Sequence, residues 1–177
     1  NSANCGIKLH GWPENNWDII NNIIQNHPES AIVSAHSGII INNIFQDSNR
    51  GIFLTQGSTM DVINNLVVDN SMGVFAHNQS TNAEIYNNIF YNNSIGMDLD
   101  VEDYTTDFNP YWDNNTDCNY NIGSQSVISD PMFDPNSSFG VMPTSSPHLS
   151  MRAYPTSQTT TFRVLILMAI RELCTTA

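Results

Sequence analysis

Positive charge is scarce in this chain: five Lys and Arg stand against 17 Asp and Glu, a formal net charge of −12. Phosphate backbones and anionic membrane surfaces are bound through clustered Lys and Arg, so neither nucleic acid nor a membrane surface is an expected partner. Long apolar runs are missing too. The longest, VLILMAI at 164–170, falls well short of the roughly 20 residues a spanning helix needs, so no membrane insertion is expected. Cysteine is limited to Cys5, Cys118 and Cys174, an odd number without CxxC spacing. That supports neither a disulfide framework nor a zinc site, and the redox compartment stays open. No Met opens the chain and no signal-peptide pattern follows. The segment is therefore expected to be a fragment of a longer protein, and a monomer.

What is abundant is asparagine, placed in phase. IINNII at 19–24 is followed by IINNIF at 40–45, VINNLV at 62–67 and IYNNIF at 85–90. The pairs begin at 21, 42, 64 and 87, so the steps are 21, 22 and 23 residues. A second column keeps the same phase: GIKL at 6, AIVS at 31, GIFL at 51, GVFA at 73 and GMDL at 96. Helical solenoids need good helix formers, longer periods and apolar residues at i, i+3 and i+4. Here Ile, Val and Phe come in short bursts between Asn, Gly, Ser and Thr, which is strand chemistry. A leucine-rich repeat has a similar period, but its spaced leucines are absent. The pattern predicts an all-β chain wound as a right-handed parallel β-helix of about five coils, stacked about 4.8 Å apart.

Buried amides are costly unless hydrogen-bonded. Stacked coils supply the bonds, because an Asn carries both donor and acceptor and sits directly above its equivalent. The second Asn of each pair, Asn22, Asn43, Asn65 and Asn88, is expected to face inward as a ladder. The first is expected to be a solvated turn residue, and Gly51, Gly73 and Gly96 to mark the next corner with positive φ. The coils are expected over 1–103, an irregular terminal segment over 104–147 and an aberrant tail over 148–177.

The NNI-[IF]…N…GI cadence over roughly residues 6–100 resembles right-handed parallel β-helix repeat proteins of the pectate-lyase-like superfamily. SDPMFDPNSSFGVMPTSSP at 129–147 resembles the closing segment of secreted bacterial members, DP.F…SP.IDAG. The resemblance implies a secreted or cell-surface protein that binds or processes polysaccharide. The alternatives are a non-catalytic structural or adhesive solenoid, or a polysaccharide lyase whose catalytic coils lie upstream. After residue 147 the text departs from the family. In a shifted register the codons for Leu149–Ala153 permit I/L-D-A-G, and those for Leu165–Glu172 permit D-x-D-G-N-P-R. A frameshift near residue 147 would account for both; the alternative is a natural divergent tail with a short helix at 162–173.

Alternation along the Gly-led strand points Ile7, Ile32, Ile52, Val74 and Met97 inward. The outward column is Lys8, Val33, Phe53, Phe75 and Asp98, and two residues further come His10, Ala35, Thr55, His77 and Asp100. In the resembled family this strand face carries the carbohydrate groove. Phe53 and Phe75, with His77, are the candidate sugar contacts, or else a plain aromatic ladder between coils. Asp98, Asp100 and Glu102 share one side of a strand and suit Ca²⁺, an acid–base pair, or simply a solvated edge. Lys8, Asp98 and Asp100 are the catalytic candidates. Asp113, Asn115 and Asp117 fit the first positions of an EF-hand loop, but Cys118 stands where its Gly should be and Ser124 where its Glu should be. Lys8 and Arg50 are the basic residues before the tail, placed on a strand and a corner two coils apart. They offer no adjacent pair for β-elimination.

Overall fold

The computed structural model describes residues 4–9, 16–55, 57–77, 83–100 and 104–130, with the backbone of 133–134 and 142–143. Short strands follow one another in threes. The first coil is β1 (Cys5–Leu9), β2 (Asn16–Ile20) and β3 (Ile23–Gln25); the second is β4 (Ser30–Ser34), β5 (Ser37–Ile41) and β6 (Ile44–Gln46). Then come β7 (Arg50–Leu54), β8 (Thr59–Ile63), β9 (Leu66–Val68), β10 (Met72–Ala76), β11 (Glu84–Tyr86) and β12 (Ile89–Tyr91). β13 (Ile95–Leu99), β14 (Thr105–Asp107) and β15 (Pro110–Trp112) form another coil, and β16 (Thr116–Cys118) and β17 (Val127–Ile128) begin the next. Every third strand pairs in parallel, giving a first sheet β1-β4-β7-β10-β13-β16, a second β2-β5-β8-β11-β14 and a third β3-β6-β9-β12-β15-β17. This is the right-handed parallel β-helix that the repeat predicts, the hand being the one parallel crossovers adopt. β18 (Phe133–Asp134) and β19 (Met142–Pro143) form a separate antiparallel pair.

The inward columns fill the core. Ile32, Ile52, Val74 and Met97 are fully buried from the first sheet, Ile40, Val62 and Ile85 from the second, and Phe45, Val67, Phe90 and Tyr111 from the third. Phe90 and Tyr111 stack with ring centres 5.1 Å apart. Burial pushes the Tyr111 hydroxyl well above the ordinary phenol range.

The inward Asn column forms as a ladder and runs one rung further than expected. The backbone N–H of Asn22, Asn43, Asn65 and Asn88 donates to the side-chain oxygen of Asn43, Asn65, Asn88 and Asn109 at 2.9, 2.9, 2.9 and 2.8 Å. Each of these side-chain nitrogens also donates to the next rung's oxygen. A second ladder, which sequence reading missed, runs through Ser48, Asn70, Asn93 and Asn114 by the same backbone-to-side-chain bonds. Its rungs lie five residues after those of the first (43 to 48, 65 to 70), so the spacing was present in the text.

Three expectations are corrected. The left-handed backbone falls on Asx residues, not on the glycine column: Asn21, Asn42, Asn64 and Asn87 have φ of 59, 59, 54 and 56°, and Asn26, Asp47, Asp69, Asn92 and Asp113 form a second such corner. Gly51, Gly73 and Gly96 lie inside strands. A Cβ on Gly73 would meet the Gly96 carbonyl oxygen at 2.4 Å, so glycine is required there by the close approach of the backbone above. The first Asn of each pair is not uniformly solvated either: Asn21 is exposed, but Asn87 is buried. Residues 104–130, expected to be irregular, continue all three sheets through β14 to β17, with Asn109 and Asn114 as ladder rungs. Phe108 replaces Asn at the left-handed corner (φ 56°), which breaks the spelling of the repeat but not its geometry.

Candidate functional site

The first sheet aligns the outward column in register. Lys8 pairs with Val33, Val33 with Phe53, Phe53 with Phe75, and Phe75 with Asp98. Parallel strands in strict register place equivalent side chains directly above one another, so this column is a continuous strip along the coil axis. Phe53 and Phe75 are half-buried, their ring centres 5.0 Å apart at 35°. Arg50 opens β7, on the strand rather than at a corner. Its guanidinium lies 4.7 Å from the centre of the Phe53 ring and 5.5 Å from that of Phe75. The planar cation and the two faces attract one another. Sequence reading missed this partner, although Arg50 stands three residues before Phe53.

Lys8 is not brought to the other two catalytic candidates, Asp98 and Asp100. Lys8 is exposed on the first coil and Asp98 half-buried four coils on, with Val33, Phe53 and Phe75 between them. The Asn119 amide donates to the Asp98 carboxylate. Partial burial pushes the Asp98 carboxyl above its ordinary range, and the Asp100 charge adds to the shift. Asp100 is exposed just past β13, its N–H donating to the Ala76 carbonyl at 3.1 Å. His77 follows β10 at the same edge, and its backbone carbonyl accepts from the Tyr104 hydroxyl at 3.3 Å.

The metal candidates fare differently from the aromatic ones. Glu102, like His10, His148, Cys174, the 131–147 motif apart from the two short strands, and the 148–177 tail, lies outside the described residues. Among the described residues no three His, Cys, Asp or Glu come together to hold a metal, so calcium at Asp98 and Asp100 finds no support. The EF-hand-like run is a solenoid corner: Asp113 has φ of 55°, Asn114 is a ladder rung and donates to Asp117 at 3.1 Å, and Thr116–Cys118 is β16. Both described thiols are free. Burial raises the pKa of each, and for Cys5 the Glu29 carboxylate adds to it. The Cys5 sulfur lies 3.6 Å from that carboxylate, while the Cys118 sulfur accepts from the Tyr120 N–H at 3.4 Å and faces the Asn121 carbonyl at 3.8 Å.

One further carboxylate pair sits on the second sheet. The Glu84 N–H donates to Asp61 at 3.1 Å, and burial raises both carboxyls, with Asp61 adding to the shift on Glu84.

Stacked parallel sheets, two Asn ladders and an outward strip define a β-helix repeat protein. Within that class the chain belongs to the NosD family, "Periplasmic copper-binding protein (NosD)", whose family model matches residues 1–129. No curated protein and no solved structure matches the chain. The family is a periplasmic one, in line with the expected location outside the cytoplasm; the likeness to pectate-lyase-type proteins reaches as far as the β-helix itself. Copper is bound through thiolate, thioether or imidazole donors. Among the described residues no three His, Cys, Asp or Glu come together to hold it, and the two described thiols lie on different coils, Cys5 in β1 and Cys118 in β16.

No helix among the described residues is long and apolar enough to cross a membrane.

Proposed function

We propose that this segment is the carbohydrate-contacting part of a periplasmic β-helix protein and that it binds polysaccharide on its first-sheet face without performing chemistry there. The observation that carries this reading is the Phe53–Phe75 pair under the Arg50 guanidinium. Aromatic faces spaced by one coil offer flat apolar surfaces to the C–H faces of sugar rings, and a guanidinium supplies fixed donors to ring and hydroxyl oxygens. Asp98 and its partner Asn119 extend the strip with acceptors and an amide. The separation of Lys8 from Asp98 by the intervening coils supports binding over bond cleavage by that pair.

Affinity electrophoresis of the intact chain against neutral and acidic polysaccharides tests it. Retardation by at least one polysaccharide is expected. The Phe53→Ala/Phe75→Ala variant should lose about tenfold in affinity, the order of a stacked-ring contribution. Retardation that is the same in the variant and the wild type, or absent for every polysaccharide, would leave the chain as a structural solenoid.

A further inference from the structure

The Arg50 guanidinium carries a fork of N–H donors, and none of them is used within the described residues. It lies against the Phe53 and Phe75 rings, 4.7 and 5.5 Å from their centres, and among the described residues no oxygen accepts from it. In a chain with 17 Asp and Glu an unpaired, half-buried arginine is unexpected, since charges drawn out of water are normally paired. Carboxylates at the neighbouring corners are engaged elsewhere. Glu29 accepts from Asn4 and faces the Cys5 thiol, while Asp69 accepts from Gln46 and Asn92. A planar cation laid against aromatic rings keeps its N–H groups in its own plane, so the fork is fixed in orientation and open to a ligand. Such a fork matches a carboxylate through two parallel bonds.

The strand register decides how often along a ligand that carboxylate recurs. On the outward column Lys8 stands two coils before Phe53, with Val33 between them. Two coil steps are about 9.6 Å. Lys8 too has no carboxylate partner among the described residues. In the other direction the column continues through Phe75 to Asp98, itself a carboxylate. The strip therefore runs cation, apolar, cation, apolar, anion from one coil to the next. A sugar ring in an extended chain advances by close to one coil step. A polymer with a carboxylate on every unit would set charges against Val33 and Phe75. One with a carboxylate on every second unit sets them on Lys8 and Arg50 and lays neutral rings on the apolar positions, until Asp98 ends the run. The net charge of −12 does not prevent this, because at physiological ionic strength charges beyond about 8 Å are largely screened.

We propose that the first-sheet strip selects a polysaccharide of alternating acidic and neutral units, Arg50 reading one carboxylate and Lys8 the carboxylate two units away. It rests on the polysaccharide reading above and adds the charge pattern of the ligand.

Calorimetric titration of the intact chain with three probes of equal length tests it. They are oligosaccharides of a glucuronate–N-acetylglucosamine repeat, the same oligosaccharides with their carboxyl groups reduced to alcohols, and oligogalacturonates. The first should bind about tenfold more tightly than either of the others, the order of one charge-assisted bidentate contact. Arg50→Gln should abolish the preference for the native over the reduced probe, and Lys8→Gln should narrow it. Equal or tighter binding of the reduced probe by the wild type would overturn the proposal and leave the polysaccharide reading standing. Equal or tighter binding of oligogalacturonate would overturn the alternation, and a native-over-reduced preference that survives Arg50→Gln would overturn the role of Arg50. If none of the three binds while another polysaccharide retards the chain in electrophoresis, only this proposal fails; if none retards it, both readings fail.

Discussion

Asn65 makes the cost of the ladder concrete. It is buried, its amide donates to the carbonyls of Ile40 at 2.8 Å and Ile63 at 3.0 Å, and its side-chain oxygen accepts the Asn43 N–H at 2.9 Å. Asn65→Ala removes the partner of all three groups where water does not reach. Each buried group left unpaired costs about 1–3 kcal/mol, so a loss of about 3 kcal/mol or more is expected in urea unfolding. Asn22 is the same residue type on the outermost rung, exposed, with water available to its partners. Asn22→Ala should therefore cost less than about 1 kcal/mol. Equal losses at the two positions would mean that the ladder is not what stabilises the coil. The ladder was legible because Asn-Asn repeats in phase. The left-handed residue beside it was harder to read, since Asn, Asp and even Phe108 serve there. A backbone angle leaves only a weak compositional trace.

At the scale of the strand, Gly73 shows that a glycine can be required without any unusual φ. It lies within β10, where an added Cβ would stand 2.4 Å from the Gly96 oxygen and 3.0 Å from Phe90 and Val67 side-chain atoms. Gly73→Ala forces two strands apart in a packed coil, a cost of about 2–3 kcal/mol in the range of overpacked cores. Gly57→Ala offers the contrast: φ is +82°, but nothing lies within 4 Å of the added atom. Only backbone strain of about 1–2 kcal/mol is expected there. Thermal melts of the two variants should rank Gly73→Ala as the more damaging, and the reverse order would overturn the close-approach argument. The sequence pattern found Gly51, Gly73 and Gly96 in phase but assigned them to a corner. Distances between neighbouring coils, not the local chain, decide which role it has.

For the whole molecule, stability is the sum of each coil and its two neighbours, as in other solenoids. Among the described residues the first coil pairs on one side, and its Trp17, Ile20 and Ile23 are 43, 44 and 41% exposed, while β8 and β9 are covered on both sides. Hydrogen exchange followed by mass spectrometry should therefore show residues 16–25 exchanging about a hundredfold or more faster than residues 59–68, as strands near an open edge unfold locally. Uniform exchange along the chain would instead indicate one all-or-none unit.

The sequence alone determined the winding: two in-phase columns specify coil length, strand chemistry, inward and outward alternation and the inner Asn ladder, because all of these follow from local spacing and side-chain type. It also determined which residues form the outward strip, since period-2 alternation admits one answer once the phase is known. Tertiary structure decided the rest. Arg50 meets Phe53 and Phe75 only because coils stack in register. Lys8 and Asp98 stay apart because they occupy coils that are not neighbours. Asn26, Asp47, Asp69, Asn92 and Asp113, spread over almost ninety positions, come to share one left-handed corner only because the coils stack. Contacts between coils couple residues about 22 apart in the chain, a distance at which no local pattern records what a side chain will face.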